Sequence, residues 1–228
     1  MKKLGKILAV VIFGVIGSAK GFGETHYQPH ISVGGHAGAD LSRISFSPEV
    51  PQTWLPGPTF GVQVRYAEEK IVGVMAELNF VNRGWKETFE ENPELSYSRT
   101  LSYISLPIMT HISFGSSRVK CFFNLGPEFG FLLSSKISSN FDYHSPSGLV
   151  SSTRRVNQMS MEIANRLDYG ITAGLGIEYY VNPRNSIFIE GRYYFGLGNI
   201  FSATKADEFG ASRSMSISVT LGYNFRLK

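Results

Sequence analysis

From Met215 to Leu227 the odd positions read Met215, Ile217, Val219, Leu221, Tyr223, Phe225 and Leu227. The even positions from Ser214 to Arg226 are Ser, Thr, Gly, Asn or Arg. A period of two puts successive side chains on opposite faces of a strand, so this segment predicts a strand with one apolar and one polar face. The preceding segments repeat it. Ile187, Ile189, Gly191, Tyr193, Phe195 and Leu197 alternate with Phe188, Glu190, Arg192, Tyr194, Gly196 and Gly198. Leu167, Tyr169, Ile171, Leu175, Ile177 and Tyr179 alternate with Asp168, Gly170, Gly174, Gly176 and Glu178. Asn182-Pro183-Arg184-Asn185 between them is a turn by composition. Upstream, similar runs surround Phe60–Tyr66, Val72–Val81, Ile104–Ser113 and Cys121–Leu133, and a weaker one covers Ile31–Leu41. The pattern predicts eight strands.

The connections alternate as well. Those at 67–70, 115–118 and 182–185 are short, whereas those near 42–58, 85–99, 135–165 and 199–212 are long and polar. Short turns at one end and long loops at the other are the habit of transmembrane barrels, whose strands need about 9–11 tilted residues to cross. The expected fold is therefore all-β: an eight-stranded antiparallel up-and-down transmembrane barrel. The polar face carries Arg65, Glu77, Arg83, Glu128, Asp168, Glu178, Glu190 and Arg192, interleaved with glycine. In an interior just wide enough for side chains, these eight predict a paired charge network filling the lumen. The opposite face would be an aggregating patch in water but is ordinary against lipid. Tyr66, Trp85, Tyr169, Tyr179, Tyr193 and Tyr223 are the expected interfacial aromatic girdles.

The N-terminus changes the compartment. Met1–Lys6 is basic, Ile7–Ile16 is an apolar run too short to span a bilayer, and small residues follow. This is the pattern of a cleaved signal peptide covering 1–23, with cleavage after Gly23 or Ala19, ahead of a barrel domain over 24–228. The segment also explains the net charge of +4, because Lys2, Lys3, Lys6 and Lys20 lie within it and 18 basic residues then face 18 acidic ones. Nothing in the remainder calls for nucleic acid. The single cysteine, Cys121, excludes an internal disulfide and a cysteine-based metal site.

No catalytic constellation emerges. Asp142, His144 and Ser145 share a long loop with no framework to aim base at nucleophile. The five histidines lack metal-ligand spacing, and Gly174-x-Gly176 and Gly196-x-Gly198 lie inside strands. The expectation is a non-enzymatic protein with no cofactor and no metal. Recognition would then fall to loops held by a rigid scaffold. The longest loop offers Phe141, Tyr143, Arg154 and Arg155 as candidate partner-binding residues, a mixture common at interfaces.

Four stretches carry a family likeness: Ser105-Leu106-Pro107-Ile108, Gly126-Pro127-Glu128-Phe129-Gly130-Phe131-Leu132-Leu133, Asp168-Tyr169-Gly170 leading into Gly174-Leu175-Gly176-Ile177-Glu178-Tyr179, and Glu190-Gly191-Arg192-Tyr193-Tyr194-Phe195-Gly196-Leu197. In these the chain resembles the PorT-like outer-membrane barrels of Bacteroides-type bacteria, within the wider OmpX/OmpA-like group, over essentially its whole mature length. The resemblance implies an eight-stranded barrel in the outer membrane, in contact with its lipid. The namesake assists the type IX secretion system, which implies an accessory role with a protein partner at the outer loops or the periplasmic rim. A small-solute channel and a surface adhesion protein are the alternatives that stay open at this stage.

Overall fold

The computed structural model describes residues 29–67, 71–144, 155–202 and 209–227. The signal segment 1–23 and Arg154 lie outside the described residues. Among the described residues nine strands follow in order: β1 His30–Ser47, β2 Gln52–Thr53, β3 Leu55–Ala67, β4 Val72–Glu87, β5 Tyr97–Gly115, β6 Val119–Ser139, β7 Leu167–Asn182, β8 Asn185–Gly196 and β9 Ala211–Arg226. Each long strand pairs antiparallel with its chain neighbour, and β1 pairs with both β3 and β9, so the eight long strands close into a ring. The two-residue β2 pairs only with the end of β4, through Gln52↔Glu87 and Thr53↔Lys86, and prolongs β3 past an interruption at Trp54. A four-residue helical turn, Asn157–Ser160, interrupts the connection from β6 to β7.

Closure fixes a stagger. From Ile31 the directly opposed residues run through Tyr66, Val74, Thr110, Leu125, Ala173, Tyr193 and Ile217, and return to β1 at Leu41. The path comes home ten residues from its start. Such a shear requires the strands to tilt, typically by about 35–45°. The start of β1 and the end of β9 meet at one end of the barrel, where the Leu227 N–H donates to the Ile31 carbonyl at 2.9 Å. The short turns at 115–118 and 182–185 lie at this same end. Gly115 opens one of them at φ +140°, a conformation that favours glycine.

The two faces separate cleanly across the middle of the barrel. On β9, Ile217, Val219, Leu221 and Tyr223 are 43–65 % exposed, while Ser214, Ser216, Thr220 and Asn224 are buried. Towards the loop end the rule inverts. On β1 the inward positions change from Ser42 to the fully buried Ile44 and the buried Phe46, and the outward ones from Leu41 to Arg43 and Ser45. On β5, Tyr97, Leu101 and Tyr103 point in, while Ser98, Thr100 and Ser102 occupy the alternate positions. A register shift between Ser102 and Tyr103, where β6 passes from Leu132 to Ser134, marks the inversion on that pair.

This corrects two expectations. The polar connections near 42–58, 85–99 and 199–212 are partly strand and bury apolar side chains. Trp85, expected in an interfacial girdle, is fully buried inside the loop end. Tyr66, Tyr179 and Tyr223 do cluster at the turn end, and Tyr169 and Tyr193 stand outward farther along.

Candidate functional site: a filled lumen under an aromatic cap

Inward-facing positions bring the charged residues of six strands into three layers. Nearest the turn end, the Arg65 guanidinium on β3 donates to Glu178 on β7 at 2.8 Å. The same carboxylate accepts from Ser186 at 2.6 Å and Asn224 at 3.0 Å. Gln63 in turn donates to Asn224 at 2.6 Å. In the middle layer Arg192 on β8 grips Glu77 on β4 with two hydrogen bonds, of 2.6 and 2.9 Å. It also donates to Glu190 at 2.7 and 3.2 Å. Asn79 and Asn124 fill remaining acceptor positions on Glu77 and Glu190. Above it, Arg83 on β4 donates to Glu128 on β6 at 2.5 Å, stands 3.7 Å from Asp168, and lies 3.7 Å from the centroid of the Tyr194 ring.

The topology makes these contacts walls rather than linings. In the closed ring β3 stands four places from β7, and β4 four places from β8. Arg65–Glu178 and Arg192–Glu77 therefore reach across the lumen between opposite sides. The space left between the middle and upper layers is about 20 Å³, bordered by Asp40, Asn79, Arg83, Glu128, Arg192 and Tyr194. A second space of about 10 Å³ lies beside Arg65 and His111. Each has room for about one water.

All eight charged residues read from the strand pattern are thus inside and in contact with an opposite charge or a polar group. Three further participants were not singled out from sequence. Asp40 is 2 % exposed in the upper layer. His36 stands 4.0 Å from Glu77, and His111 is 2.7 Å from the Asn124 side-chain oxygen. The signal for them was parity alone, since each occupies an inward position of its strand. Counted among the described residues, six lumen carboxylates face three arginines.

Over the upper layer sits a second structure, an apolar cap. Strand residues Ile44, Phe46, Val81, Trp85, Tyr97, Leu101, Tyr103 and Leu132 join loop residues Val50, Phe89, Met159, Ile200, Phe201 and Phe209 in one buried cluster. The Phe46 ring meets Trp85 edge-on at 5.4 Å and stacks on Phe201 at 6.1 Å, arrangements that aromatic quadrupoles favour. Tyr97 and Arg99 find partners in the cap, whereas the Tyr103 hydroxyl is buried without one. The Tyr97 hydroxyl donates to the Met159 carbonyl at 2.7 Å, and burial pushes its pKa above the ordinary value, so it stays a donor. Arg99 donates to the Met161 carbonyl at 2.5 Å and to the Ser135 hydroxyl at 2.9 Å.

The cap also absorbs two of the residues expected to meet a partner. Phe141 packs edge-on against Phe89 at 5.5 Å and Tyr143 against Tyr97 at 5.9 Å. Both are half-buried, and their rings serve the cap. Arg155 stands exposed at the loop surface. Asp142 accepts a hydrogen bond from the His144 backbone N–H at 3.0 Å, a local turn contact.

Residues 26–202 match the family described as outer membrane protein beta-barrel domain. Among solved structures, the outer membrane protein OprG from Pseudomonas aeruginosa is similar at 10 % identity, over 87 % of this chain and 95 % of that one, with a TM-score of 0.48. Neisserial surface protein A is similar at 13 % identity over 87 % and 99 % of the two chains, TM-score 0.45. Ail, the attachment invasion locus protein of Yersinia pestis, in complex with the heparin analogue sucrose octasulfate, is similar at 16 % identity over 86 % and 99 %, TM-score 0.42. No curated protein matches the sequence.

Proposed function

Because this chain belongs to the family of outer membrane protein beta-barrel domains, we propose that it is a closed, non-enzymatic anchor that works through the surface it presents beyond the membrane. The observation that carries this reading is the filled lumen. Three layers of ion pairs and hydrogen bonds, two of them joining opposite walls, leave spaces of about 20 and 10 Å³ beside them. The apolar cap seals the loop end as well. A solute path would have to break several buried ion pairs at once, each costly to break.

The accessory role implied by the PorT-like resemblance, serving protein secretion, is compatible with such an anchor. A rigid barrel with a well-packed outer extension holds a recognition surface at fixed height and angle. With Phe141 and Tyr143 committed to the cap, a protein partner would meet the polar outer faces of β5 and β6 and the exposed Arg155. The reading is tested by conductance. Purified protein inserted into planar bilayers is expected to give no steady channels. Large, stable, ohmic openings would refute it and favour the small-solute channel.

A further inference from the structure

The outward-facing charges of the barrel are distributed with unusual asymmetry. Every Asp and Glu carried by a described strand is at most 3 % exposed, so none of them faces outward. Outward cations do occur on the strands: Arg43 on β1, Lys86 on β4, Lys136 on β6 and Arg213 on β9. Their facing follows from their neighbours. Ser42 and Ile44 flank Arg43, Trp85 and Glu87 flank Lys86, and Ser212 and Ser214 flank Arg213, and all six flanking residues are buried. Lys136 lies opposite Thr100, whose neighbours Arg99 and Leu101 are buried.

All four cations stand at the loop end: Arg43 and Arg213 beside the outward Leu41 and Met215, Lys136 beyond Leu133 and Ser134, and Lys86 beyond the outward Asn82 and Gly84. Arg43 follows Leu41 on β1. Across the β1–β9 pair, Arg43 opposes Met215 and Ser45 opposes Arg213, which makes the two arginines diagonal neighbours within reach of one ligand. Trp54 continues the belt on the other side, with the Arg43 guanidinium 5.6 Å from its ring centroid. Lys86 opposes both Thr53 and Ser98, and Lys136 opposes Thr100 two residues on. The belt therefore runs from β9 through β1 and β4 to β6, above the apolar wall and separated from it on β4 by Asn82 and Gly84.

The geometry points to a binding belt for the phosphorylated lipid of the outer leaflet, with its phosphates on Arg43, Arg213, Lys86 and Lys136 and its acyl chains along the apolar wall. Three arguments select this ligand. The long loops of a barrel of this kind face outward, so the belt lies in the outer leaflet's headgroup layer. On the strands the outward charge is of one sign only, which a zwitterionic surface does not reward and a phosphate layer does. Finally, a Trp beside a cation at the apolar edge suits a site that is half hydrocarbon and half anion.

The test is a binding isotherm on the full mature chain in neutral detergent, using bis-phosphorylated lipid A as probe and tryptophan emission as readout. Dephosphorylated lipid A and inorganic phosphate serve as the two comparison ligands. Phosphorylated lipid is expected to bind at least ~10-fold more tightly than the dephosphorylated form, and phosphate alone to give no comparable change. Replacing all four cations, R43Q, K86Q, K136Q and R213Q, should remove that preference while heat-dependent gel migration still reports a folded barrel. If the fourfold variant fails to fold, the pairs R43Q/R213Q and K86Q/K136Q are measured separately. Equal binding of the two lipids by the unaltered protein would overturn the inference without any variant. A full response to inorganic phosphate would overturn the lipid assignment.

Discussion

Arg192 is the single cation shared by Glu77 and Glu190, and its replacement by methionine tests whether the lumen is held by charge. The side chain makes four charge-assisted hydrogen bonds, of 2.6 and 2.9 Å to Glu77 and 2.7 and 3.2 Å to Glu190. The carboxylate side chains are 0 and 2 % exposed, so water screens neither. Arg192→Met keeps the length and the packing stem but removes every donor. Glu77 is then left with the Asn79 amide at 2.8 Å and His36 at 4.0 Å, and Glu190 with Asn124 at 2.9 Å. Removing one partner of a buried pair costs about 3–5 kcal/mol, and here two carboxylates lose their partner together. The upper part of that range is expected for Arg192→Met. Combining it with Glu77→Gln and Glu190→Gln removes the stranded charge as well, and should restore most of the loss, since neutral replacement of a whole buried ion cluster is often close to neutral. Urea-driven unfolding of the barrel in lipid vesicles, followed by gel migration of folded and unfolded forms, measures both. A loss below ~1 kcal/mol for the single variant would refute the ionic account. A triple variant less stable than the single one would show that shape, not charge, holds this layer.

Two other predictions follow from facing and from the cap. Val219 is 54 % exposed on the apolar wall, so Val219→Arg should cost about 2–4 kcal/mol in the same assay and Val219→Leu almost nothing. Equal effects would mean the wall does not meet hydrocarbon. Trp85, fully buried against Phe46, Phe201 and Tyr97, should cost ~3–5 kcal/mol as Trp85→Ala, yet leave planar bilayers silent because the ionic layers below remain. A channel opened by this change alone would show that the cap, not the lumen network, is the seal.

Much of this architecture is legible in the chain before any coordinates. Strict alternation over Ser214–Leu227 places Val219 outward and Ser216 inward, and the same parity puts Arg65, Glu77 and Arg192 inside. Parity would also have found the cap. On β4 the inward residues are odd, running through Met75, Glu77, Asn79 and Arg83, and Trp85 continues that set. By residue type alone an aromatic at a strand end suits an interface instead, and type misleads here. On β1 the apolar residues pass from odd, ending at Leu41, to even, beginning at Ile44. That change of phase is the visible mark of a strand leaving hydrocarbon and entering a small water-facing domain with its own apolar core.

Other features have no local signature. The pairing of Glu77 with Arg192 joins residues 115 positions apart, and nothing in either neighbourhood names the other. It follows from the ring of eight strands and the ten-residue stagger at which the ring closes. The same closure brings Arg43 beside Arg213 from opposite ends of the chain. The engagement of Phe141 and Tyr143 likewise depends on where Phe89 and Tyr97 are delivered by another hairpin. Sequence alone determined the strands, their two faces and the charged identity of the lumen, because a period of two is a property of the extended backbone and needs no partner. Only the tertiary structure decided which charges meet, how far the strands rise beyond the apolar band and what caps them. Those depend on shear and closure, which are set by all the strands together.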